Sequence, residues 1–245
     1  MNPDFERVYH FHVRKTAGTS LNAAFWALGG LDLRAVSDSQ AVEGNGLRFV
    51  RGNAKLIEAG EYFYANSHLP AHELRLPPAT YTITILRDPA ARAVSYYRYL
   101  LWARSDPAAR EAEPFIDEVL AEGAFLDRRF SLRRRRGGFL DFLDRVPASQ
   151  LLTQLHMFSP RLDPAEAAER ALSCAAVCFT ETFAEDLARV AGELGLELAE
   201  KRERSFGEKV EPSEEERELL RERLAPEYAM IDRVREGLGA TIPAQ

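Results

Sequence analysis

Apolar positions along the chain switch between the two-residue period of strands and the 3.6-residue period of helices. Val8 to Val13 is a short strand pattern. From Thr19 the period becomes helical, with Leu21, Ala24, Phe25 and Leu28 on one face. Gly29-Gly30 ends that helix, since glycine tolerates the left-handed terminal conformation. Leu31 to Val36 and Glu61 to Asn66 are further strand candidates, and Tyr81 to Leu86 is the strongest strand pattern. Asp88-Pro89 supplies an N-cap and a first helical residue, and the helix runs to about Arg104.

The middle section, Pro107 to Ser159, is helical and loop-rich in pattern. Phe115 to Leu120 and Phe139 to Leu143 have helical spacing, and Arg133 to Arg136 with Gly137-Gly138 form a basic loop. Asp163-Pro164 starts another helix, which leads to Ala171. Ala175 to Thr180 reads as a last buried strand, followed by a helix with Phe183, Leu187, Val190 and Leu194 on one side. Ser213 to Glu216 is a capping box before a charged helix that Pro226 is expected to interrupt. Alternating strands and helices imply an α/β fold: a single domain over residues 1–245, with a central parallel sheet flanked by helices and a helical C-terminal part.

Composition narrows the partners. The 245 residues carry a net charge of −6, against the basic surplus of a general nucleic-acid binder. Four of the 32 basic residues are lysines (Lys15, Lys55, Lys201 and Lys209); the rest are arginines, which lowers the weight of any one arginine run. Cys174 and Cys178 have no histidine nearby and read as reduced core thiols, not metal ligands. No signal peptide or membrane span is visible, so the expected location is cytoplasmic. Oligomeric state is not legible.

Two segments carry candidate chemistry. His12-Val13-Arg14-Lys15-Thr16-Ala17-Gly18-Thr19-Ser20 runs from strand into helix. Such a turn aims backbone N–H groups and the positive end of the helix dipole in one direction. Ala17 and Gly18 keep the turn narrow, Thr19 and Ser20 add hydroxyls, and Lys15 adds a full charge. This is the physics of a nucleotide P-loop, but there the lysine follows the glycines, so an ATPase or GTPase is poorly supported. An ordinary βα turn remains open for this segment alone.

The second segment is Arg87-Asp88-Pro89 with Ser95 eight residues after the arginine. Ser95 lies two helical turns in, roughly 9–10 Å along the axis from Pro89, so an anion touching it sits beside the helix. Alone, the pattern is better explained by Arg87 in a salt bridge and Ser95 on a surface. Paired with the first segment, they suggest a nucleotide with two separated phosphate groups.

His-Val-x-Lys-Thr-Ala-Gly-Thr-Ser followed by Leu-Arg-Asp-Pro-x-x-Arg-x-x-Ser resembles the sulfotransferases of the heparan-sulfate 2-O and 6-O type (sulfotransferase family 2) and their bacterial relatives. The resemblance implies that Lys15, Thr16, Ala17, Gly18, Thr19 and Ser20 hold the 5′-phosphosulfate of 3′-phosphoadenosine 5′-phosphosulfate (PAPS), and that Arg87 and Ser95 hold its 3′-phosphate. Weaker echoes extend it. Gln150 to Gln154 is similar to the family's Asn-x-Gln-Thr-Arg stretch, with glutamine for both asparagine and arginine; Phe179 to Phe183 resembles its Leu-Thr-Glu-x-Phe segment. One departure is Arg14, where the family has proline: it loosens the turn or adds charge near the sulfate.

The resemblance implies a single P-loop-like, sulfotransferase-like domain over residues 1–245, and in-line sulfuryl transfer from PAPS to an acceptor hydroxyl, leaving adenosine 3′,5′-bisphosphate. Lys15 and the N–H cradle would stabilise charge on the departing phosphate. A sulfuryl group carries less charge than a phosphoryl group, so no metal is expected and activity should survive excess EDTA. His68, after a strand pattern and so near the sheet's carboxyl edge, is the candidate base, as in related sulfotransferases. His72 is the second choice, His12 sits behind the loop, and His10 and His156 read as structural.

Arg133 to Arg136 could meet the cofactor, an anionic acceptor or only solvent; Tyr96, Tyr97, Tyr99 and Trp102 could line an acceptor cleft or the core. The competing functions are a P-loop-type kinase or other phosphotransferase, which needs an acidic metal ligand at a strand end, and a non-catalytic binder of an anionic polymer. The acceptor could be a carbohydrate, glycolipid, small metabolite or tyrosyl peptide.

Overall fold

In the computed structural model, residues 4–32, 35–36, 40–106, 109, 116–126, 138–200 and 210–239 are described. The strands are β1 (Arg7–Phe11), β2 (Ala41–Gly44), β3 (Leu47–Arg51), β4 (Tyr64–Ser67), β5 (Thr80–Leu86) and β6 (Ala176–Phe179). The helices are α1 (Gly18–Leu28), α2 (Ala54–Ala59), α3 (Pro89–Ser105), α4 (Ile116–Glu122), α5 (Phe139–Arg145), α6 (Ala148–Leu151), α7 (Thr153–Phe158), α8 (Pro164–Leu172), α9 (Phe183–Leu194) and α10 (Glu214–Gly237).

One six-stranded sheet runs in the order β2-β3-β4-β1-β5-β6. Every pairing is parallel except the β2–β3 hairpin. The central parallel sheet expected from the alternation is present, with one antiparallel hairpin at its edge. The hairpin turns through Asn45 and Gly46, both at positive φ (49° and 74°), as a two-residue turn matched to strand twist requires.

Period-two alternation in β1 sends Val8 to one face and Tyr9 and Phe11 to the other. Against the first face pack Phe25 and Trp26 of α1 and Leu187 and Val190 of α9, over Tyr64, Ile83 and Ile85. The second face carries the larger core, with Tyr96, Tyr97 and Leu100 of α3, Phe142 of α5, Leu155 of α7 and Leu224, Met230 and Ile231 of α10. Helices thus cover both faces of the sheet, and the C-terminal part is helical.

Two expectations are corrected. Leu31 to Val36 forms no strand among its described residues: Asp32 accepts the N–H of Ala35 on its side chain and that of Val36 on its carbonyl, which curls the chain into a turn. Pro226 does not interrupt its helix. Buried Leu224, Glu227, Met230 and Ile231 anchor both sides of the proline, so α10 continues through the one missing N–H bond. Both cysteines are free, and burial pushes each thiol up to about 12. No helix among the described residues is long and apolar enough to cross a membrane.

Candidate active site at the carboxyl edge of the sheet

β1, β4 and β5 end side by side, with Phe11 paired to both Ser67 and Thr84. Each runs straight into one of the segments read above. The turn after β1 holds two non-glycine residues in the left-handed region, Lys15 (φ 66°) and Ala17 (φ 64°). Alternating handedness makes an anion nest from successive backbone N–H groups. Ala17 is the N-cap of α1 and has no side-chain oxygen, so the cap residue's own side chain covers none of the N–H groups that open the helix. Thr16 is buried beneath the turn and donates its hydroxyl to the Val13 carbonyl at 2.9 Å; it shapes the loop from below. The Lys15 ammonium lies 4.0 Å from the centre of the Tyr99 ring.

β5 delivers Arg87. Its guanidinium Nη1 donates to the Lys15 carbonyl at 3.2 Å, so the second segment touches the first. Burial pulls the Arg87 guanidinium below its ordinary value, opposed by Glu181 and Asp88. Asp88 caps α3 as expected, accepting from Ala91 N–H at 2.7 Å. Ser95, two turns along α3, faces the same cavity.

β4 delivers His68. Its Nδ1 lies 2.6 Å from the His12 carbonyl oxygen, which can only accept, so Nδ1 carries the proton and Nε2 is left bare. Burial, then the Arg14 charge, hold the His68 imidazolium well below its usual range. A neutral ring with a bare Nε2 is the form a general base needs. His72 does not reach the site. A single 3₁₀ turn, Ala71–Glu73, carries it off to pack edge-on against His156, with ring centres 5.8 Å apart.

The cavity encloses about 1250 Å³ and is lined by Lys15, Ala17 to Ser20, His68, Arg87 and Ser95 together. That exceeds the roughly 300–1,000 Å³ of ordinary small-molecule sites, leaving room for a nucleotide and an acceptor. Its wall is basic in an acidic protein: Arg14, Lys15, Arg51, Arg87, Arg98, Arg217 and Arg221 line it, against the carboxylates of Asp32 and Glu118. Arg14 forms an ion pair with Glu122 of α4, and Arg51 pairs with Glu118 of the same helix at 3.5 Å. Tyr97 belongs to the core, packed on Phe142; Tyr96 packs on Phe142 as well but also lines the cavity, as does Tyr99 beside Lys15. Arg133 to Arg136 lie outside the described residues.

Sequence reasoning missed Asn22, Arg51, Arg217 and Arg221 as cavity residues. The (i, i+4) arginines on a capped helix were visible, but which face of α10 meets the cavity is a tertiary fact.

No family model matches the chain, and no curated protein sequence matches it. Among solved structures it is similar to the crystal structure of a sulfotransferase from Alicyclobacillus acidocaldarius, at 15% identity over 97% of each chain, with a TM-score of 0.41. So distant a likeness leaves the chemistry to rest on the cavity.

Proposed function

We propose that this protein is a sulfotransferase that moves a sulfuryl group from PAPS to the hydroxyl of a carbohydrate, glycolipid or small metabolite and releases adenosine 3′,5′-bisphosphate. The observation that carries the reading is the convergence of two anion grips and a base on one cavity, with Arg87 bonded to the Lys15 carbonyl at 3.2 Å. Two grips bordering one space suit a nucleotide with phosphates at both ends of its ribose. The nest of Lys15 to Ser20 suits the 5′ end, and Arg87 with Ser95 suits the 3′-phosphate.

The donor supplies a sulfuryl group on a phosphate that leaves with the bonding electron pair. This chain's own residues do the rest. His68 Nε2 takes the acceptor's proton as the new S–O bond forms. Lys15 and the nest stabilise the charge growing on the departing oxygen, as preorganised donors that need no rearrangement. The sulfuryl group carries less charge than a phosphoryl group, so this reading asks for no metal.

Thermal shifts with adenosine 3′,5′-bisphosphate, ATP with Mg²⁺ and heparin test it, alongside transfer of labelled sulfate from PAPS to hydroxyl-bearing extracts. Selective stabilisation by the bisphosphate and label in product are expected. Stabilisation by ATP with Mg²⁺ alone would turn the reading toward a phosphotransferase, and by heparin alone toward a polymer binder.

A further inference from the structure

Behind the cradle lies a buried polar network that the reaction above does not use. Asn22, on the first turns of α1, is almost wholly buried. Its Oδ1 accepts from the Tyr64 hydroxyl at 2.6 Å and lies 2.9 Å from His10 Nδ1. With Oδ1 so engaged, its Nδ2 faces His12 Nδ1 at 3.3 Å, as a donor. An imidazole nitrogen that accepts is unprotonated, so the proton of neutral His12 sits on Nε2.

That Nε2 edge lies against the cradle. A Cβ added to Gly18 would overlap His12 Cδ2 and Nε2, so the glycine's close approach admits the ring to the spot where α1 begins. His12 also lines the cavity, and its ring centre is 4.4 Å from that of His68. Two adjacent imidazoles are therefore set in opposite tautomers by different partners: His68 by the His12 carbonyl, with Nε2 bare, and His12 by Asn22, with Nε2 protonated.

We propose that His12 is a second working imidazole of this site, a neutral hydrogen-bond donor whose Nε2–H meets the oxygens of the group being transferred, and that Asn22 is the positioning residue that fixes its tautomer. This rests on the sulfuryl-transfer reading. His12 keeps its proton throughout; the acceptor's proton goes to His68, and the electron pair of the broken S–O bond stays with the phosphate. The donor complements the nest: it holds the sulfuryl oxygens in line while the N–H groups take up the charge growing on the departing phosphate oxygen.

Long-range ¹H–¹⁵N correlation spectra of histidine-labelled protein read each ring's tautomer with no substrate present. His12 protonated on Nε2 and His68 on Nδ1 are expected. Asn22→Asp replaces the amide donor with an acceptor and should move the His12 proton to Nδ1. It should lower kcat by roughly 100-fold or more. The affinity for adenosine 3′,5′-bisphosphate should stay within about threefold, a split that general damage to the fold would not give. His12→Gln, which keeps an N–H donor near the same position, should recover part of the kcat lost in His12→Phe. His12 protonated on Nδ1 in the wild type, or wild-type kcat in His12→Phe, overturns the proposal. If Asn22→Asp fails to fold, the wild-type spectrum and the two His12 variants still decide. Wild-type protein with the expected tautomers that sulfates no hydroxyl overturns the parent reading, and with it the role of the His12 proton, while the Asn22 lock stands.

Discussion

Gln154 and Arg87 exchange two hydrogen bonds: Arg87 N–H donates to Gln154 Oε1 at 2.8 Å, and Gln154 Nε2 donates to the Arg87 carbonyl at 3.1 Å. A fully buried side-chain amide thus continues the ladder of β5 past its last paired residue. The same corner is held twice more, with Asp88 N–H bonded to Glu181 Oε1 at 2.9 Å and the Thr180 hydroxyl to the Leu86 carbonyl at 3.3 Å. The two faint echoes in the sequence, around Gln154 and Thr180, therefore converge on the backbone of the Arg87 turn. In this geometry they aim the arginine.

Gln154→Ala should destabilise the protein by about 1–3 kcal/mol, the cost of stripping partners from polar groups at a partly buried turn. Adenosine 3′,5′-bisphosphate should bind at least about tenfold more weakly, since the guanidinium loses its fixed base. Urea denaturation and calorimetric titration measure the two effects. Unchanged affinity would detach the corner from the binding site.

Glu227 sits at the centre of the larger core. It is fully buried, accepts from Gln154 N–H at 2.8 Å and opposes Arg92 Nε at 3.6 Å. Removing one partner of a buried pair strands the other charge and typically costs about 3–5 kcal/mol. Glu227→Gln should fall in that range by urea denaturation. Adding Arg92→Met to it should restore part of the loss, because no unpaired charge then remains; a further drop would show that Arg92 is held by its bond to the Leu151 carbonyl instead.

Much of the site was legible because its signals are local. The cradle, the Asp88 cap and the strand ends before Arg87 and His68 are each written within ten residues. The Asn45-Gly46 hairpin was written as plainly, in the dipeptide most diagnostic of a tight turn, but the strands it joins are only four and five residues long, too short for a clear period. Asn22, Arg51 and the arginines of α10 were not legible: each lies on an element whose facing is set by packing far away in sequence. His72 failed for a local reason, since the 3₁₀ turn after Pro70 rotates it away from the sheet edge.

Three histidines are held neutral at this edge. Burial lowers His10 to about 4, and burial first, with neighbouring positive groups, lowers His12 and His68 well below 6.5. In the unfolded chain they titrate near 6.5, so below that pH the unfolded state binds more protons than the native state. Their contribution is complete above pH ~6.5 and is lost as pH falls toward the native values, at about 1.4 kcal/mol per pH unit for each histidine. Denaturation midpoints at pH 7.5 and 5.5 should therefore differ clearly, with the lower pH less stable. Equal midpoints would mean that the native imidazoles are hydrated enough to charge freely.

Gly18→Ala sets two effects against each other at the first residue of α1. Alanine is a better helix former than glycine by about 1 kcal/mol. The new Cβ, however, overlaps the His12 ring and lies 2.9 Å from His10 Cε1, within a network that Asn22 and Tyr64 hold in place. Overpacking of this kind costs about 1–3 kcal/mol, so strain wins. The variant should melt below the wild type and lose most bisphosphate affinity, because His12 or the nest must shift. Gly192→Ala is the control: it lies within α9, where an added Cβ meets open space, so only the helix preference acts. That variant should melt slightly above the wild type with ligand affinity unchanged. A Gly18→Ala protein that binds the bisphosphate as tightly as the control would show that the close approach of His12 to the cradle is incidental to ligand binding.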